Sequence, residues 1–143
     1  MPVIKKHINI LLVLIWMAVI FIMSSFNATE SSNQSNIIVN IIVNIFNINN
    51  INLVSFIIRK LAHFTEYLIL GILTYNLINN HNKKTYIAII ICVLYAISDE
   101  IHQMFVPGRS CQILDMTIDS LGSITGIYLL KLINKYKTER RKK

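Results

Sequence analysis

At 143 residues the chain has room for one domain, and its composition excludes an ordinary soluble one: 54% of the residues are apolar and only 15% charged, against about 25% charged in typical soluble domains. The net charge of +7 does not indicate nucleic acid, because eleven of the 14 lysines and arginines lie beside apolar runs: Lys5 and Lys6, Lys83 and Lys84, and seven in the tail from Lys131 onward. This is the cationic bias of cytoplasmic loops, and the KYKTERRKK tail suits anionic lipid headgroups better than nucleic acid.

The apolar residues come in blocks of about 20, the length of a bilayer span. The pattern predicts an all-α integral membrane bundle of four transmembrane helices, at residues 8–26, 54–78, 85–105 and 113–133, with both termini cytoplasmic and a basic tail at 134–143. The whole chain, 1–143, forms a single membrane domain. The first span follows Lys5 and Lys6 and shows no convincing cleavage site, so it reads as an uncleaved signal-anchor. Trp16 lies mid-span, where a packing role is expected.

Residues 27–55 form the first external connection. Asn36, Asn40, Asn44 and Asn47 recur at helical steps opposite Ile and Val, which predicts an amphipathic helix on the outer surface or capping the bundle. Compositional drift toward Asn and Ile would explain the pattern equally well. The second span opens with Arg59, Lys60, His63, Glu66 and Tyr67. Arg59, His63 and Glu66 share a face, and a carboxylate at that depth requires a proton or a cation.

A polar, basic turn at 79–84 places that connection in the cytoplasm. On the third span Tyr95, Asp99 and His102 share one face and Gln103 adjoins Asp99, whereas Glu100 points elsewhere, toward the second span or the headgroups. For Glu100 and Lys60 a solvated interfacial role is expected. Val106-Pro107-Gly108-Arg109 reads as a tight turn, with Pro fixing φ and Gly taking φ > 0. On the fourth span Asp115, Asp119, Gly122 and Gly126 form one stripe, whose glycines resemble a small-xxx-small packing face. Cys92 and Cys111 have neither disulfide nor zinc spacing.

With both termini inside, the start of the second span, the end of the third and the start of the fourth all lie at the outer leaflet. The sequence thus predicts one outward-facing polar pocket. The pattern RK-x-AHF-x-EY-x-x-LG, then YAISDE-x-HQ-x-FVPGR, then D-x-x-x-D-x-x-G-x-x-x-G resembles the VanZ-like family of small bacterial membrane proteins, over residues 59–126. The resemblance implies a multi-pass protein of the bacterial cell membrane, in a family whose namesake is linked with resistance to teicoplanin, a glycopeptide that binds cell-wall precursors.

Three readings of the pocket stay open. In the first it engages lipid-linked or lipophilic molecules, such as wall precursors or glycopeptides, through Arg59, Lys60, Tyr67, Tyr95, Glu100, Gln103, Arg109, Asp115 and Asp119, since arginine forks match phosphate oxygens. In the second it is a hydrolase or transferase acting on a phospho-lipid, with His63, Glu66, Asp99 and His102 as candidate catalytic groups. In the third the charges form a polar network that only fixes helix register. No cofactor is expected and no metal ligand set is assigned, although His, Asp and Glu donors would suit a divalent cation as a variant of the enzyme reading. Membrane lipids are the expected surroundings, and Gly122 and Gly126 offer a face for a homo-oligomer. The predicted topology has a direct check: a membrane-impermeant thiol reagent should label Cys111 on intact cells, and labelling from the cytoplasmic side alone would overturn it.

Overall fold

The computed structural model describes residues 3–78 and 83–141. These form five helices, α1 (Val3–Ser24), α2 (Ala28–Phe46), α3 (Ile51–Leu77), α4 (Lys84–Gln103) and α5 (Ile113–Arg140), with no strand among the described residues. Residues 79–82 of the expected cytoplasmic turn, and Lys142 and Lys143 of the tail, lie outside them. The helices match the predicted spans to within a few residues, except that α5 runs on through most of the basic tail.

Three helices, α1, α4 and α5, are long and apolar enough to cross a membrane. Large apolar side chains cover their outer surfaces, among them Leu14 (58% exposed), Leu94 (61%) and Leu121 (53%). Exposed apolar faces on this scale need a lipid surrounding or a partner. The fourth long helix, α3, has 27 residues and carries Arg59, Lys60, His63 and Glu66 in its first 16.

Asparagine side chains punctuate the segment before α3. Asn27 caps α2 in a reciprocal capping box with Glu30, accepting from the Glu30 N–H at 2.9 Å and donating its own N–H to Glu30 Oε2 at 3.1 Å. Asn47 ends α2 in the left-handed region, at φ 50°. Asn50 caps α3 by accepting from the Leu53 N–H at 3.1 Å. Asn and Asp suit these positions because a short side chain reaches the orphan amides of a first turn and tolerates the left-handed conformation. Along α2 itself, Asn36, Asn40 and Asn44 are exposed while Val39 is buried. Ile37, Ile41 and Ile45 stay more than half exposed as well, so α2 presents a polar and an apolar stripe side by side, as an interfacial helix would.

α3 is the axis of the bundle, in contact with all four other helices. It runs antiparallel to α1: Asn9 donates to the Asn76 carbonyl at 3.3 Å, and Trp16 Nε1 to the Glu66 carbonyl at 2.9 Å. Tyr95 on α4 adds a third tie, its hydroxyl donating to the Met17 carbonyl at 2.6 Å. Where lipid is as apolar as leucine, such bonds and close packing hold helices together.

α5 lies parallel to α3 in a continuous register. Lys60 meets Asp115 and His63 meets Asp119; Gly122 then lies against the Phe64 carbonyl and Gly126 against the Leu68 carbonyl. From the other side, Gly71 abuts the Ser123 carbonyl. The small-residue stripe is therefore buried inside this chain, and α3, rather than a second copy, occupies the Gly122 and Gly126 face. Cys92 and Cys111 are both free.

A Cβ added at Gly122 or Gly126 would collide with α3 backbone, which cannot rotate away as a side chain can. Gly126→Val should therefore cost at least the roughly 1–3 kcal/mol of an overpacked core. Reversible unfolding in detergent measures this, and near-neutral stability would mean that the two backbones do not approach so closely.

Candidate functional site

The parallel α3–α5 pair, with α4 antiparallel beside it, brings the start of α3, the end of α4 and the start of α5 to one end of the bundle. The connection between α4 and α5 closes this end as a tight turn: the Arg109 N–H donates to the Val106 carbonyl at 3.1 Å, and Gly108 adopts φ 74°. Proline at the second position and a positive φ at the third are the signature of a type II turn. A side chain at Gly108 would also crowd Ala28, whose amide donates to the Pro107 carbonyl at 3.4 Å. The turn is thus docked on the first residue of α2.

Two clefts open beneath this roof. The first, about 170 Å³, is lined by charged and amide side chains including Arg59, Lys60, Gln103, Arg109, Gln112 and Asp115. The second, about 190 Å³, mixes Glu66 and Asp99 with apolar Met23, Ile38, Ile58 and Ala62. Both are bounded by Ser31, Arg59, His63 and Arg109, so they adjoin at those residues. Nothing in the α2 sequence marked Ser31, Gln34, Ser35 and Ile38 as part of a site. They line the clefts because α2 folds back along α3 after the short 47–50 connection.

The lysine and the carboxylates are arranged in specific pairs. Lys60 Nζ forms an ion pair with Asp115 Oδ1, with the two side chains 16% and 6% exposed. It also lies 5.1 Å from the centre of the Phe56 ring and 3.4 Å from Gln112 Oε1. His63 Nδ1 is 3.4 Å from Asp119 Oδ1, and Asp119 is fully buried. That distance brings the two groups together while leaving both carboxylate oxygens of Asp119 without a hydrogen-bond donor among the described residues. Arg109 donates to Gln103 Oε1 at 3.2 Å.

Several expectations require correction. Glu100, expected to point toward the second span or the headgroups in a solvated role, is fully buried and lies beside His63 of α3. Its Oε2 accepts the Gln112 N–H at 2.8 Å, and its Oε1 finds no donor among the described residues. Lys60 is likewise engaged inside the bundle end rather than solvated. His102, on the same face as Tyr95 and Asp99, meets α1: its ring stacks on Phe21, with ring centres 4.3 Å apart, one turn beyond the Met17 carbonyl that Tyr95 bonds, and it lines neither cleft. Tyr67 is fully buried in the apolar core, and Tyr95 spends its hydroxyl on Met17, so these two support the site from behind rather than lining it. Arg59, Lys60, His63, Glu66, Asp99, Gln103, Arg109 and Asp115 do line the clefts.

Gln112 was missed by sequence reasoning. It caps the start of α5 and uses its backbone N–H on Glu100 while its side chain meets Lys60. Its position just ahead of the Asp115 stripe was the only available signal.

The VanZ/LLP1 family profile matches residues 9–134. The chain belongs to the VanZ/LLP1 family. The match spans α1 to most of α5, so the helix order, the site and its turn all fall within the VanZ/LLP1 region. No curated protein and no solved structure matches the chain.

Because Asp115 is buried against Lys60, removing one partner strands a charge. Lys60→Met should destabilise this VanZ/LLP1 protein by about 3–5 kcal/mol, the cost of an uncompensated buried charge. Adding Asp115→Leu should restore most of that. A double-mutant cycle on unfolding free energies measures the coupling, and additive losses would show the pair to be solvent-screened.

Proposed function

We propose that this protein is a four-span member of the VanZ/LLP1 family with both termini cytoplasmic, whose polar end faces the outer leaflet of a bacterial membrane. There it engages an amphiphile with an anionic head, of the kind represented by lipid-linked cell-wall precursors. The observation that carries this reading is the pair of adjoining clefts. One is lined by cationic and amide groups and the next by an apolar wall, and the two meet at Arg59, His63 and Arg109. A phosphorylated headgroup fits the first and the start of a hydrocarbon chain the second. Arg59 has no ion pair or hydrogen bond among the described residues and Arg109 holds only a neutral amide, so both guanidinium forks are available to phosphate oxygens. Sequestering such a lipid or altering its accessibility would lower susceptibility to glycopeptides that target wall precursors.

A hydrolase or transferase on a phospho-lipid is the second reading. What favours it is His63 beside buried Asp119 at the junction of the clefts, an imidazole with a carboxylate placed to orient it. Since His102 stacks on Phe21, this reading rests on His63 rather than on both histidines.

Purified protein in lipid nanodiscs should bind a polyprenyl diphosphate. Arg59→Ala and Arg109→Ala should each weaken binding by about 10- to 100-fold, the equivalent of a charge-assisted hydrogen bond at roughly 1.5–3 kcal/mol. Arg140→Ala, on the far end of α5, should not. Membrane abundance and glycopeptide susceptibility of cells carrying the same variants give the physiological readout. Unchanged affinity in both cleft variants would sink the reading, and phosphate release on incubation would favour the enzyme.

A further inference from the structure

Glu100 and Asp119 stand out among the polar groups of the site. Each is fully buried, they come from different helices, and three of their four carboxylate oxygens have no hydrogen-bond donor among the described residues: Glu100 Oε1 and both oxygens of Asp119. His63 on α3 brings an imidazole to the same point, its buried Nδ1 lying 3.4 Å from Asp119 Oδ1 without a hydrogen bond among the described residues. One ligand atom from each of His63, Glu100 and Asp119 lies within 4.8 Å of the other two. Two atoms bound at about 2.0–2.2 Å from one ion are at most about 4.4 Å apart, so small side-chain rotations would close a coordination sphere.

Charge counting leads to the same place. At this end α3, α4 and α5 carry the carboxylates Glu66, Asp99, Glu100, Asp115 and Asp119, against the permanent cations Arg59, Lys60 and Arg109. Lys60 is committed to Asp115. Arg59 and Arg109 line the same cleft as Glu66 and Asp99 but form no ion pair among the described residues. Among the described residues neither Glu100 nor Asp119 forms an ion pair with a lysine or arginine, and a protonated His63 would offset only one of them. Burying two carboxylates side by side without compensation is costly.

We propose that His63, Glu100 and Asp119 hold a divalent transition-metal ion, such as zinc or manganese. One imidazole nitrogen and two carboxylate oxygens suit these ions, and three protein ligands leave coordination positions free. His63 lines both clefts while Glu100 and Asp119 line neither, so the ion would lie behind His63 at the edge of the space where an exogenous oxygen ligand would enter. The Gln112 N–H on Glu100 Oε2 fixes that carboxylate and leaves Oε1 for the ion, as outer hydrogen bonds do for metal ligands. The site stands on its own donors and does not depend on which amphiphile the clefts take.

The test uses full-length protein in detergent without a histidine tag, stripped with chelator and titrated with zinc or manganese. One ion per chain is expected. Glu100→Gln and Asp119→Asn, each near-isosteric, should weaken binding by more than the about 10- to 100-fold that losing only an outer hydrogen bond costs. His102→Ala, which alters a histidine outside the cluster, should bind as the native protein does. Size exclusion checks that each variant is folded. X-ray absorption of the zinc-loaded native protein supplies a readout that needs no variant, with one imidazole and otherwise oxygen donors expected. Absence of stoichiometric binding, affinity unchanged in both carboxamide variants, or sulfur donors from Cys92 or Cys111 would each overturn the site.

Discussion

The close parallel approach of α5 to α3 is the constraint on which the rest depends. Gly122 and Gly126 let the two backbones meet, and the turns just N-terminal to them carry Asp119 and Asp115 into register with His63 and Lys60. Small residues make this possible because helices in lipid gain little from apolar burial and must associate through van der Waals contact and polar bonds. The site is thus a by-product of the packing seam: where the glycines end, the carboxylates begin.

The other elements serve that seam. α1 is fastened to the back of the bundle by Asn9, Trp16 and the Tyr95 hydroxyl, and its Phe21 takes up His102. α4 supplies Asp99, Glu100 and Gln103 from its last turn and then breaks at Pro107-Gly108, which sets the turn onto the start of α2. α2 completes the walls of both clefts. A polar space walled by α3, α4 and the start of α5 and covered by a turn and α2 is sheltered on most sides while staying open at two clefts. In such a space each arginine fork counts for more than it would in water.

Long apolar blocks, the cationic flanks and the Asp-Gly stripe made the membrane character, the helix count near the site and the inward face of α5 legible in the residues alone. Arg59, His63, Glu66, Asp99, Gln103 and Asp115 were singled out by helical spacing and Lys60 and Arg109 as cations beside them, and all eight line the clefts. Spacing also showed the Val106–Arg109 turn, because Pro and Gly each have one conformational reason to be there.

Tertiary structure decided which way α4 is rotated and what that does to its polar groups. In a soluble helix the apolar stripe marks the inner face; in lipid both faces are apolar, so periodicity cannot orient it. Spacing put Tyr95, Asp99 and His102 on one face and left Glu100 between the second span and the headgroups; the packed bundle turns the first face to α1, with Tyr95 on Met17 and His102 on Phe21, and buries Glu100 beside His63 and Asp119. The chain by itself determined that ionisable groups gather at one end of a membrane bundle. Only the packing of α3, α4 and α5 determined that one histidine and two carboxylates meet within reach of a single ion.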